Sequence, residues 1–101
     1  MIQAFKTAGA EDIFHGKNTM AARRLCPKDL WKIVARKLDQ LDSVRSLQDL
    51  KIPPGNHLEA LSGNRKGQYS IRVNDQYRIC FVWADQGPDK VEIVDYHQEK
   101  K

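Results

Sequence analysis

The second half of the chain contains three stretches in which apolar and polar residues alternate, with short turns between them. The stretches at 68–73, 77–83 and 91–96 place most of their large apolar side chains at every second position. Side chains of a β-strand alternate between the two faces of a sheet, so each stretch predicts a strand with one apolar face. Turn residues at 74–75 and 85–89, the latter containing Gly87-Pro88, separate them. The pattern predicts an antiparallel meander of at least three strands.

The first half contains one strong helical pattern, over 27–44. Pro27 stands where the first turn of a helix tolerates proline. Apolar residues then recur at steps of three and four, so that they share one face of the helix. These residues are Leu30, Ile33, Val34, Leu38 and Leu41. A helix with one apolar face needs a sheet to cover, and helices followed by a sheet predict an α+β fold.

Weaker patterns complete the expected organisation. Residues 1–6 alternate enough to predict a short strand, and 8–15 predicts a short helix that Gly16 ends. The polar, basic segment 18–25 is compatible with either a loop or a helical approach. Leu58 to Leu61 is a candidate opening strand of the sheet. A length of 101 residues suits one domain over 1–101.

The charge of the chain is mildly basic. Its 17 Lys and Arg residues outnumber 13 Asp and Glu residues, which gives a net charge of +4 and a pI near 9.2. This balance favours a polyanionic partner, but a solvated basic surface without a partner explains it equally well.

Several classes of site are not indicated by the sequence. Cys26 and Cys80 form neither a metal-ligand spacing nor a disulfide framework, and Cys80 is expected to be a buried thiol. No CxxC, HExxH, P-loop or GxGxxG motif occurs, so no metal or other cofactor is expected. No apolar run predicts a membrane helix, and the first residues lack a signal-peptide pattern. We therefore expect a reducing cytosol as the compartment.

One cluster of residues points to phosphate chemistry. Cleavage of RNA without a metal needs a base, an acid and positive charge beside the phosphorus. Arg72 and Arg78 lie on adjacent predicted strands, on the face opposite the apolar residues, and could hold one phosphate between them. His97 is a candidate for proton transfer because imidazole titrates near neutral pH. Tyr96 could stack on a base or donate its proton, and Asp95 could orient the imidazole or point inward.

Each of these residues also has a structural explanation. Arginines on a sheet commonly pair with nearby carboxylates at the surface, and a histidine near a terminus is commonly exposed. Tyr96 could serve ordinary strand packing, and the basic turn Arg65-Lys66 could be a solvated hairpin tip. Trp31 and Trp83 are expected in the core. The residues alone therefore predict a small α+β domain with a possible nucleic-acid surface.

Four motifs carry a family resemblance that covers most of the chain. They are Pro53-Pro54-Gly55-Asn56, Leu58-Glu59-Ala60-Leu61-Ser62-Gly63-Asn64-Arg65, the run from Ser70 to Phe81, and Val91-Glu92-Ile93-Val94-Asp95-Tyr96-His97. In combination they resemble the HigB host-inhibition toxins, the "plasmid maintenance killer" branch of the RelE/ParE superfamily. The resemblance implies a compact microbial-ribonuclease-like fold with an N-terminal strand and two helices packed on an antiparallel sheet.

The same resemblance implies a function. It implies a type II toxin that a HigA-type helix-turn-helix antitoxin holds inactive, and an endoribonuclease that cuts mRNA on the ribosome without metal. Arg72 and Arg78 fall where the superfamily places phosphate-contacting residues. Asp95, Tyr96 and His97 fall on the C-terminal motif associated with activity.

Basic residues outside this cluster are candidate RNA contacts. They are Arg23, Arg24, Arg65 and Lys66, whose partner could be RNA or an acidic antitoxin surface.

The sequence also departs from the family pattern. Some HigB toxins carry a His and a Lys before the hairpin, where this chain has Glu59 and Ser62, and His57 is out of register. Glu59 is therefore a possible replacement base. A ParE-like toxin that binds gyrase, and a weakly active toxin that acts mainly as an antitoxin-bound co-repressor, remain alternatives.

Overall fold

Within residues 1–96, the four strands of the sheet follow one another in chain order, and each is antiparallel to its neighbour. They are seen in a computed structural model, which describes residues 1–96. The strands are β1 (Glu59–Ala60), β2 (Gln68–Arg72), β3 (Tyr77–Ala84) and β4 (Gly87–Asp95). The predicted meander and the predicted opening strand are both confirmed.

The hairpins show one departure from the expected turns. Asn74 shapes the turn between β2 and β3 by accepting hydrogen bonds from the backbone N–H groups of Gln76 and Tyr77. Gly87 and Pro88 were expected in the next turn, but both lie in β4, opposite Ala84 and Trp83. The prediction was wrong because proline tolerates the start of a strand, where a missing N–H costs least.

Among the residues that the structure describes, three α-helices form the other layer: α1 (Ala8–Phe14), α2 (Met20–Leu25) and α3 (Trp31–Ser43). Thr7 and Thr19 cap α1 and α2 by accepting hydrogen bonds from the backbone N–H groups of Ala10 and Ala22. Gly16 follows α1 with φ +73°, as a helix-ending glycine does. The segment at 18–25, left open by the sequence, is thus largely helical.

The apolar stripe of α3 packs on the sheet as its spacing predicts. Val34, Leu38 and Leu41 are fully buried, whereas Ile33 is 38% exposed because it lies at the edge of the stripe. The predicted helix over 27–44 is divided, since a 3-10 turn at Lys28–Leu30 precedes α3.

The first residues form a shorter pairing than the predicted strand. Phe5 makes a single parallel bridge with Val91 of β4, and Gln3 donates a backbone hydrogen bond to Pro88. Met1 lies so close to Gly87 that a Cβ there would be 2.5 Å from the Met1 carbonyl oxygen. This close approach explains why glycine starts β4.

The sheet has two unlike faces. The first, called the core face here, is apolar and packs against the helices through Ile71, Ile79, Phe81 and Ile93. The second, called the polar face, carries the alternate positions Ser70, Arg72, Arg78, Cys80 and Glu92. The candidate chemistry lies on the polar face.

Candidate functional site

Two guanidinium groups occupy adjacent positions on the polar face. Arg72 of β2 and Arg78 of β3 are direct cross-strand partners. Like charges directly opposite each other destabilise a sheet. A sheet that keeps such a pair has a locally concentrated positive charge suited to an anion. Arg72 compensates in part by an ion pair with the exposed carboxylate of Asp75.

Arg78 is buried and held in a fixed orientation. It is 9% exposed, and its Nε donates a 2.7 Å hydrogen bond to Ser70 Oγ. Its Nη2 donates a 2.6 Å hydrogen bond to the carbonyl oxygen of His57. The sequence suggested two guanidiniums on an exposed face, and this is wrong for Arg78. Only Arg72, with a side chain 36% exposed, presents its charge partly to solvent.

The His57 carbonyl that accepts from Arg78 follows directly after the buried side-chain amide of Asn56, which fixes this turn. Asn56 is fully buried, and its Nδ2 donates hydrogen bonds of 3.1 Å to Gln40 Oε1 of α3 and to the Leu50 carbonyl. Lys37 of α3 donates to Asn56 Oδ1. His57 follows in the left-handed region at φ 44°, which turns its carbonyl oxygen toward Arg78. The Pro-Pro-Gly-Asn turn thereby links α3 to the arginine.

Tyr96 and Glu59 complete the cluster beside Arg78. The Arg78 guanidinium carbon lies 5.2 Å from the centre of the Tyr96 ring, within the range of a cation–π contact. The Tyr96 hydroxyl donates a 3.1 Å hydrogen bond to Glu59 Oε1 of β1. Burial raises the pKa of the Tyr96 phenol, and the hydrogen bond to Glu59 raises it further. The phenol is therefore protonated at neutral pH and available as a donor.

The other two residues of the C-terminal motif have different positions. Asp95 is the register partner of Tyr77, a core-face residue, and its Oδ2 accepts a 2.9 Å hydrogen bond from Gln76 Nε2. Because side chains alternate along a strand, Asp95 lies on the core face with Ile93, opposite to Arg78. This is the inward position that the sequence left open for Asp95. His97 lies outside the described residues.

The predicted RNA-contacting residues fall into two separate groups. Arg65 is partly buried, and its Nη1 donates 3.0 Å hydrogen bonds to Gln68 Oε1 and Glu92 Oε2, while Lys66 beside it is exposed. Arg23 and Arg24 are exposed on α2, in the helical layer. The structure does not bring these two groups together.

Sequence reasoning missed the residues that orient Arg78. Ser70 could have been found, because it alternates with the apolar residues of β2 and so shares the face of Arg78. The roles of Asn56 and the His57 carbonyl had no sequence signal beyond the turn motif, since they depend on a left-handed backbone conformation.

The cluster offers an anchored guanidinium, a second cation beside it, a neutral phenol and a carboxylate. These groups can hold an anion and move protons near it. Among residues 1–96, no three His, Cys, Asp or Glu side chains group as metal ligands. None of the helices within those residues has the length and apolar character of a membrane-spanning segment.

Comparison with known proteins places these features in a family. Residues 3–97 match the family model for HigB-like toxins, described as RelE-like toxins of type II toxin-antitoxin systems. The chain is 52% identical over 62 residues to Toxin HigB-1 of Vibrio cholerae serotype O1. It is 47% identical over 59 residues to an uncharacterised protein of Haemophilus influenzae.

These two alignments are partial. They cover 61% and 58% of the present chain, and 65% and 58% of the respective relatives. The chain therefore spans somewhat less than two-thirds of the length of the curated relatives it matches.

Proposed function

The chain belongs to the HigB-like family of RelE-like toxins, and from that premise we propose that it is a ribosome-dependent endoribonuclease that cuts mRNA and so inhibits translation. The observation that carries the proposal is the cluster on the polar face, where Arg72 and Arg78 lie together and Tyr96 meets Glu59. Such a toxin acts in the cytoplasm, beside a HigA-type antitoxin that restrains it.

The electrostatics of the cluster suit a phosphodiester. Attack on phosphorus builds negative charge on the non-bridging oxygens, and donors already in place stabilise that charge without reorganising. Arg78 is preorganised by Ser70 and the His57 carbonyl. Arg72 is the more accessible cation, and it binds phosphate by exchanging the Asp75 carboxylate for a phosphate oxygen.

The reaction needs two proton movements. The ribose 2′-hydroxyl loses a proton as its oxygen forms a bond to phosphorus, and the bond from phosphorus to the 5′-oxygen breaks as that oxygen gains a proton. The products are a 2′,3′-cyclic phosphate and a 5′-hydroxyl, so atoms and charge balance without a metal or redox step.

Tyr96 and Glu59 are suited to these two transfers. Tyr96 keeps its proton at neutral pH because its pKa is raised, so it can protonate the leaving 5′-oxygen. Glu59 is exposed and already accepts a hydrogen bond from this phenol, so it can take the proton of the 2′-hydroxyl. His97, which the sequence predicts as the main proton carrier, remains our candidate for either transfer, and Asp95 positions the end of β4.

Mapping mRNA ends in a reconstituted translation reaction tests the proposal. The wild-type protein should produce new 5′ ends at codon positions on translated mRNA. Glu59→Gln, Tyr96→Phe and His97→Ala should each reduce cleavage, by about 10²-fold if the residue transfers a proton.

Other outcomes would replace the proposal. Intact mRNA together with DNA damage in induced cells would favour a toxin that acts on gyrase. Intact mRNA together with tight antitoxin binding would favour a co-repressor with little nuclease activity.

A further inference from the structure

A shallow groove with three lysines lies at the end of the polar face opposite to the arginine pair. It has a volume of about 670 Å³ and is lined by Lys6, Lys66, Gly67, Gln68, Val82 and Lys90. We call it the lysine groove. Gln68 and Val82 are cross-strand partners at one end of the β2–β3 ladder, and Arg72 and Arg78 are partners at the other. The groove and the arginine pair thus share one face of one sheet.

A bulge in β4 places Lys90 in this groove. Cys80 pairs with Glu92, but Val82 pairs with Asp89, so β4 contains one residue more than β3 across this interval. Lys90 adopts φ 51°, in the left-handed region that disfavours a side chain such as lysine. Backbone strain of this kind clusters at functional sites. Bulges also redirect side chains next to active sites.

The groove keeps an excess of positive charge after its internal pairs are counted. Glu92 Oε2 lies 3.0 Å from Arg65 Nη1 and 3.3 Å from Lys6 Nζ, so one carboxylate serves two cations. Asp89 accepts a hydrogen bond from the backbone N–H of Lys90. Lys66 and Lys90 are both exposed and add two further positive charges. The pairs at Glu92 fix the loop and the N-terminal segment that form the walls.

We propose that the lysine groove binds the sugar–phosphate backbone of the RNA strand whose scissile phosphate lies at Arg72 and Arg78. The inference rests on the proposed function and extends it from the scissile phosphate to neighbouring phosphates of the same RNA strand. Val82 is four residues from Arg78 along β3, which is about 13 Å at the rise of a strand. The groove therefore contacts phosphates beyond the scissile one.

The composition of the groove favours nucleic acid over a protein partner. Lysine is depleted in protein–protein interfaces, whose centres are apolar and aromatic. The lining of this groove contains three lysines, a glycine, a glutamine and only one apolar side chain, Val82. Flexible ammonium groups around an open groove are typical of contacts to a phosphate backbone.

Binding of RNA that cannot be cleaved tests the proposal. We would use fluorescent oligoribonucleotides with 2′-O-methyl riboses, of about 3 and about 12 nucleotides, and measure anisotropy over a range of salt concentrations. The test variant is the double substitution Lys66→Gln and Lys90→Gln. The matched control is Lys17→Gln with Lys28→Gln, two exposed lysines outside the groove. A second double variant, Lys66→Arg with Lys90→Arg, retains the charge.

The proposal predicts that the groove variant loses about tenfold in affinity for the long oligonucleotide and nothing for the short one. The slope of the logarithm of the binding constant against the logarithm of the salt concentration should become shallower by about 0.7 for each lost phosphate contact, so by about 1.4 in total. The arginine variant should restore binding, and the control should match wild type.

Equal binding by the groove variant and the control would overturn the proposal. So would an unchanged RNA affinity with a loss of antitoxin binding, which would assign the groove to a protein. Because the readout is binding, it is separate from cleavage. If RNA binding depends on the lysine groove but mRNA is not cut on the ribosome, the result would support RNA binding by the groove and refute the proposed nuclease function.

Discussion

The two faces of the sheet are both largely buried, but they are stabilised by different interactions. On the core face Ile71, Ile79 and Phe81 are fully buried among apolar neighbours. On the polar face Ser70 is fully buried and Arg78 is 9% exposed, and they bond to each other. Burial of polar groups is tolerated only where each finds a partner. Burial alone therefore does not tell which face is the core, whereas the nature of the contacts does.

Ile79→Ala on β3 should have the largest effect on stability. Removing a fully buried side chain from a packed core leaves a cavity and costs about 2–5 kcal/mol of the free energy of unfolding. Urea denaturation measures this loss. The fraction that remains folded should cleave mRNA normally, and a folded but inactive variant would contradict the division between the two faces.

Arg78→Ala, one position away, should reduce both stability and activity. It removes a buried cation together with its two hydrogen bonds and leaves Ser70 Oγ and the His57 carbonyl without this donor. The free energy of unfolding should fall by about 3 kcal/mol. Cleavage should fall by about 10²-fold or more even where the variant is folded. Arg78→Lys keeps the charge but not the two-armed geometry, so it should recover little activity. Full activity in either folded variant would remove Arg78 from the site.

The sequence predicted the two faces well because strand alternation is a local property. It identified Arg72 and Arg78 as neighbours, and it identified the α+β fold, which is confirmed. It did not predict that Arg78 is buried, because its partners come from a residue eight positions earlier and from a backbone carbonyl near a distant turn. Burial of a polar side chain depends on tertiary contacts that alternation does not encode.

The sequence also misplaced features that depend on special backbone geometry. Gly87-Pro88 lie inside β4 because the N-terminal segment packs closely on that strand. The left-handed conformations of His57 and Lys90 are uncommon for residues other than glycine, so the sequence did not predict them. Ile33 was assigned to the buried stripe because periodicity fixes a face but not its width.

Arg72→Ala should separate activity from stability. The guanidinium is partly exposed, and its removal relieves the like-charge pair with Arg78, so stability should change by less than about 1 kcal/mol. Cleavage should fall by about 10²-fold. Arg36→Ala, an exposed arginine of α3, is the matched control and should leave both unchanged. A cleavage rate equal to that of the control would exclude Arg72 from phosphate binding.

Tyr96→Phe should lower cleavage by about 10²-fold with little change in fold, because it removes only the hydroxyl. The wild-type rate should show no loss from phenol ionisation until the pH exceeds the ordinary tyrosine pKa of 10.0, since the pKa of Tyr96 is raised. A rate profile at several pH values checks this. A Tyr96-dependent fall in rate below that pH would contradict the assignment.

The buried thiol of Cys26, in the hydrophobic core, gives a prediction for the pH dependence of stability. Burial, with a contribution from the charge of Asp29, raises the pKa of this thiol from 9.0 to about 11. The folded state retains the thiol proton that the unfolded state loses, so this contribution to stability is present below pH 9 and is lost toward pH 11. Between pH 9 and pH 11, the free energy of unfolding of the wild type should fall by about 2 kcal/mol more than that of Cys26→Ala. Parallel stability curves for the two proteins would contradict it.

The most direct test of the account is to observe which face meets RNA. Side-chain NMR signals of wild-type protein would be followed during titration with an RNA that carries 2′-O-methyl riboses. The Nε–H signals of Arg72 and Arg78 should shift, whereas the indole N–H of Trp31, which donates to the Cys26 carbonyl in the helical layer, should not. Shifts at Trp31 and at Arg23 or Arg24 of α2, with the two sheet arginines unchanged, would show that the polar face is not the site.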